Sequence, residues 1–178
     1  MKAIFSVVAA SLLMAGISTA NASDGTIVFN GELTDATCDV TVNGGSNDAT
    51  VTLPTLSATM LAAADATAGD TDFVINLKNC NPATGKVRAF FEAGNTVDMT
   101  NGRLKNMQAQ GAAGNVQLEL LNEGGTSLKV GDTGQRANAA TDLNAGTADL
   151  PYIVRYHATD KTSAGKVTSS VTYSIDYE

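Results

Sequence analysis

The sequence has no tryptophan, a single histidine and two cysteines among its 178 residues, and each scarcity removes a class of function. His157 stands alone inside the strand-like "YIVRYHA", so the nucleophile-base arrangements that use histidine have no second member. No G-x-S-x-G elbow, phosphate loop, H-E-x-x-H or dinucleotide fingerprint is present. One histidine and two thiols leave a zinc or copper site short of ligands. Asp65, Asp70 and Asp72 gather in "ADATAGDTD", but their spacing misses the EF-hand loop and reads as a solvated turn. Only nine Phe and Tyr residues are available as a platform for sugars or for stacked bases. Basic charge is scarce too: 11 Lys and Arg against 18 Asp and Glu give a net charge of −7. That balance repels nucleic acid and anionic lipid and favours solubility. No catalysis, cofactor, metal, nucleic-acid partner or membrane insertion is expected.

Long apolar runs are missing as well, apart from one at the start. Met1 and Lys2 make a short basic head, residues 3–16 an apolar stretch, and "ISTANA" closes with Ala20, Asn21 and Ala22, the small-residue pattern of a secretory cleavage site. The stretch falls short of the about 20 apolar residues that a spanning helix needs. Cleavage between Ala22 and Ser23 is expected, leaving an exported, soluble chain of 156 residues with a net charge of −8, since Lys2 departs with the signal. That length fits one domain. Export crosses an oxidising compartment, where an isolated pair such as Cys38 and Cys80 is normally joined. Closing that segment of 42 residues would stabilise the fold by about 4 kcal/mol on the chain-entropy view.

What the remaining chain does have is a period of two. The runs "TIVFNGEL", "CDVTVN", "ATVTLP", "DFVINLKNC", "KVRAFFEA", "NVQLELLN", "SLKV", "LPYIVRYHA" and "KVTSSVTYSIDYE" read as strands separated by turn signals such as "NGGSND", "NPATG" and "NEGG". The spacing predicts an all-β sandwich or barrel. Alanine-rich "SATMLAAADATAG" reads as a short connector helix or loop, and residues 131–149 as a long surface loop. The last strand is the most regular, with Val171, Tyr173, Ile175 and Tyr177 on one face. An immunoglobulin-like sandwich ordinarily has one more strand after its penultimate one, and an uncovered edge here would be a liability. At the other end, "SDGTIVFNGELTDATC" places Ile27, Phe29, Gly31 and Leu33 on one face of an extended segment. On composition alone the favoured reading is an ordinary first strand folded back on its own domain.

Read together, the two ends resemble the structural pilin subunits of chaperone-usher fimbriae, in particular the type 1 major fimbrial subunit family. The resemblance spans nearly all of the mature sequence. It rests on "GTIVFNGELTDATC", "FVINLKNC", "AAGNVQLELL" followed by "GTSLKVG", "LPYIVRYHAT" and the tail. Counting Glu178 as one, Tyr177 is penultimate, Ile175, Tyr173 and Val171 stand at four, six and eight, and Gly165 at fourteen. Alone, Gly165 would merely punctuate the turn "SAGK", and Tyr177 would be an aromatic at the edge of a core.

The resemblance implies a six-stranded, incomplete immunoglobulin-like sandwich that lacks its seventh strand. A hydrophobic groove would run along the last strand at Gly165, Val171, Tyr173, Ile175 and Tyr177. A periplasmic chaperone would lend a strand to it, and at the outer-membrane usher the N-terminal extension of the next subunit would replace that strand. The implied organisation is a signal peptide at 1–22, a donor extension at 23–34 and a pilin domain at 35–178. The product would be a homopolymeric fimbria on the surface of a Gram-negative bacterium, supporting adhesion. Burying Ile27, Phe29 and Leu33 would supply about 1.5–3 kcal/mol each, with Gly31 over a shallow pocket and ladder hydrogen bonds adding about 0.5–1.5 kcal/mol each. A minor adaptor pilin and a self-complemented periplasmic binding sandwich are the alternatives, while the length speaks against a tip adhesin with an additional domain.

Overall fold

Alternating apolar and polar side chains suit a sheet with one buried face. A computed structural model of the chain, which describes residues 27–31, 33 and 35–178, shows where each alternating run finds its partner. In chain order the strands are β1 (Thr37–Val42), β2 (Thr67–Asn81), β3 (Lys86–Phe91), β4 (Val97–Asp98), β5 (Arg103–Lys105), β6 (Val116–Asn122), β7 (Ser127–Leu128), β8 (Thr141–Asp142), β9 (Ala148–Ala158) and β10 (Tyr173–Tyr177). Short 3₁₀ turns occupy Ala58–Leu61 and Thr133–Ala137. Among the described residues six strands run for five residues or more, namely β1, β2, β3, β6, β9 and β10.

The strands form two antiparallel sheets. The larger has the order β1-β2-β9-β6-β5-β4, with β7 also on β6, and the smaller has the order β10-β3-β8. Phe73, Ile75 and Leu77 of β2, Leu118 and Leu120 of β6, and Leu150 and Val154 of β9 point inward from the first sheet. Val87, Ala89 and Phe91 of β3 meet them from the second. An aromatic cluster sits at the centre, with the Phe91 and Tyr152 rings edge to face at 4.9 Å between centroids and Phe73 at 5.7 Å from Tyr152. Such contacts add to the burial that dominates a β-sandwich core. Cys38 and Cys80 are joined in a disulfide, which fastens β1 to the end of β2.

Several sequence expectations change. The 27–33 segment, expected as a strand, is outside regular structure at each of its described residues. "ATVTLP" keeps the predicted alternation of burial but has no ladder, and "KVTSSVTYSIDYE" is a regular strand only over Tyr173–Tyr177. β2 begins earlier than its apolar pattern, at Thr67, because β9 reaches far enough to pair with it: Thr67 lies opposite His157 and Ala68 opposite Tyr156. β4 and β5 were not marked by any apolar run, and the 131–149 loop contains the Thr133–Ala137 turn and β8. The expected cleavage site at Ala22 and Ser23 lies outside the described residues. The chain divides into two units, Met1–Leu33 and Thr34–Glu178.

Candidate functional site

β1 and β10 are the end strands of their respective sheets, and a groove runs along both. Its geometry follows from a parity argument. Lys86 and Glu178 exchange both backbone hydrogen bonds, at 2.9 and 2.8 Å, and an antiparallel ladder repeats every two residues. Asp176, Ser174 and Thr172 therefore face β3, and the bond from Glu92 N–H to the Thr172 carbonyl at 2.9 Å continues the series. Val171, Tyr173, Ile175 and Tyr177 consequently turn their N–H and C=O groups to the opposite edge, where no described strand pairs with them. The preceding segment continues the same parity. The Lys166 carbonyl accepts from Ala113 N–H at 2.9 Å and the Thr168 carbonyl from Met107 N–H at 2.8 Å, which leaves Val167 facing out.

The opposite wall is residues 49–56, whose backbone N–H groups donate to no described acceptor. Their side chains nevertheless alternate, with Val51, Leu53 and Leu56 half-buried and Thr52 exposed. The two walls thus present matching apolar rows. Val40, Val51 and Leu53 on one side, and Val167, Val171, Tyr173, Ile175 and Tyr177 on the other, pack partly against the core. A hollow of 510 Å³ lies between Leu56, Leu61, Val116, Tyr156 and residues 162–168. A second, of 320 Å³, lies between Val40, Asn47, Asp48 and residues 171–175. Two phenols cross the groove, Tyr173 donating to the Asn47 carbonyl at 2.9 Å and Tyr156 to the Pro54 carbonyl at 3.2 Å. Burial raises the Tyr173 pKa above its ordinary value, and the Asp48 carboxylate raises it further. Burial alone does the same for Tyr156 and Tyr177, so all three stay neutral at physiological pH.

The structure places all five predicted tail residues on this groove. Gly165 lies where a Cβ would overlap the backbone of Ala112 and Ala113, so only glycine lets the tail approach so closely. Two ion pairs hold β10 on the face of its sheet that points away from the core. Arg136 donates to Asp176 at 2.7 and 3.3 Å while its guanidinium stacks 4.3 Å above Phe90, and Arg88 pairs with Glu178. Sequence reading missed the facing wall of Val40, Val51 and Leu53, although the alternation of "CDVTVN" and "ATVTLP" was its signal. Of the opening segment, Ile27, Phe29 and Leu33 are 79%, 88% and 101% exposed, an unusual display of large apolar side chains. Gly31 is exposed as well.

His157 sits elsewhere, on β9. It is 5% exposed, with Nε2 3.3 Å from Asp65 and Nδ1 3.4 Å from Glu119. Glu119 also accepts from Ser127 Oγ and Arg155 Nε at 2.8 Å each. The serine hydroxyl is thus committed to a carboxylate, and the cluster ties β6, β7 and β9 together. Asp65, Asp70 and Asp72 do not converge: no group of three or more potential metal ligands occurs among the described residues.

The two-sheet, immunoglobulin-like sandwich is the fold of pilin subunits. A chain from the structure of a chaperone-usher pilus that addresses rod uncoiling matches it with a TM-score of 0.60, over 88% of this chain and 96% of that one, at 21% identity. The type-1 fimbrial protein family model matches residues 53–178. The major fimbrial subunit SMF-1 of Stenotrophomonas maltophilia (strain K279a) is 45% identical over 174 residues, covering 93% of this chain and 99% of that protein. The F17 fimbrial protein of Escherichia coli is 42% identical over 173 residues, covering 94% of each. The chain belongs to the type-1 fimbrial protein family. It is a fimbrial subunit of the Gram-negative cell surface, and its relatives are structural proteins rather than enzymes.

Proposed function

We propose that the groove is a strand acceptor and that Ile27, Phe29, Gly31 and Leu33 of a second copy form the strand it accepts, making the chain a head-to-tail polymerising subunit of a chaperone-usher fimbria. The observation that carries this reading is the double vacancy in the ladder. Among the described residues, the outward groups of β10 and the N–H groups of residues 49–56 have no partner between two rows of half-buried apolar side chains. An inserted strand satisfies both edges and closes the sandwich. Residues 27–33 span about 20 Å when extended, which fits within the run from Gly165 to Ile175. On this reading a periplasmic chaperone covers the groove first, the outer-membrane usher exchanges it for the next subunit's extension, and residues 35–178 are the pilin domain. The resulting fibre supports adhesion from the cell surface.

Two complementary variants test it. The chain lacking residues 23–33 keeps the groove and loses the strand, whereas Ile175→Asp keeps the strand and places a charge in the groove. Neither should form detergent-resistant ladders alone, and their mixture should stop at heterodimers. Ladder formation by the deletion variant on its own would overturn the reading.

A further inference from the structure

The smaller sheet has a second edge, on the far side of β3, and there the chain satisfies its own outward groups. By the same parity, Val87, Ala89 and Phe91 face away from β10. β8 covers the start of this edge, with Thr141 opposite Val87 and Leu143 N–H bonded to the Gly85 carbonyl at 2.8 Å. Beyond β8 side chains take over. Ala89 N–H donates to the Tyr152 hydroxyl at 3.2 Å. Phe91 N–H donates to Gln135 Oε1 at 3.1 Å, and Gln135 Nε2 returns a bond to the Phe91 carbonyl at 2.9 Å. That carbonyl also accepts from Gly131 N–H at 3.0 Å.

Gln135 is 5% exposed, and its amide exchanges with Phe91 the same pair of bonds that a strand residue would. The turn carrying it is fixed from both ends. Asp132 caps it by accepting from Gly134 N–H at 2.7 Å, and Arg88 Nη1 donates to the carbonyls of Arg136 and Asn138. A bare edge at Phe91 would be a second template for strand addition on the same sheet.

We propose that Gln135, assisted by Tyr152, is a specificity-determining edge plug that confines strand addition to β10, so that each subunit accepts one strand. This rests on the strand-acceptor reading above. Each variant is made in the chain lacking residues 23–33, taken as wild type here because no neighbour's extension can fill its groove, and is incubated with excess synthetic peptide of residues 23–34 while native mass spectrometry counts peptides per chain. Wild type should bind one. Gln135→Met, which keeps the bulk and removes both hydrogen bonds, should bind a second and speed Phe91 amide exchange about tenfold, the consequence of losing a protecting hydrogen bond. A Gln135→Met chain that melts cooperatively, binds one peptide and keeps its Phe91 amide protected overturns the plug. If that variant loses its cooperative melt, Tyr152→Phe decides the matter at Ala89: two peptides support the plug and one overturns it. A wild-type chain that binds no peptide overturns the acceptor reading itself.

Discussion

Gly165 and Glu119 show how single residues hold local structure in place. Gly165 lets the tail lie directly against Ala112 and Ala113, which sets the depth of the groove at that end. Gly165→Ala is expected to cost about 1–3 kcal/mol, as overpacking does, read as a lower urea midpoint. Glu119 is held differently. Burial pushes its carboxyl pKa up, but hydrogen bonds from Ser127 and Arg155, with the charges of Arg155 and His157, outweigh this and hold it below the usual carboxylate range. A depressed folded-state pKa contributes stability that is fully present above the unfolded value of about 4.3 and is lost as pH falls through the folded one. Thermal melts should therefore show wild type losing its advantage over Glu119→Gln as pH drops below about 4.3. An advantage that persists to lower pH would contradict this account.

Among the elements, β1 is both the end strand of its sheet and a wall of the groove. The Cys38–Cys80 bridge ties it to β2 across 42 residues. Replacing both cysteines with serine should lower stability by about 4 kcal/mol, measured as a denaturant midpoint against the oxidised wild type. The long strands were legible in the sequence because β-branched and aromatic residues at a period of two mark a half-buried strand wherever it pairs. The tail residues Tyr173, Ile175 and Tyr177 were legible for the same reason. Pairing itself was not. Residues 49–56 and β10 alternate alike, yet only β10 has a neighbour. Thr67–Thr71 looks like a turn, but it pairs with β9 because the register there extends past the apolar pattern. Gln135 was invisible because a side-chain amide that substitutes for backbone leaves no periodic mark, and the same holds for Arg136, which reaches Asp176 over 40 residues.

At the scale of the whole molecule, folding and association are coupled on the proposed reading. A species that binds only the folded state raises apparent stability with its concentration. Each tenfold rise in subunit concentration should add up to about 1.4 kcal/mol once binding is established, seen as a melting temperature that climbs with concentration in the full chain and stays flat in the chain lacking residues 23–33. The plugged edge of β3 has a further consequence in the language of step-growth chemistry. A chain with one acceptor and one donor is an A–B monomer, and its only product is a linear chain, whatever the conversion. Unplugging Phe91 would create an A₂B monomer, whose product is a hyperbranched tree. Whether these cells carry threads or clumps would then turn on a single glutamine one strand away from the junction.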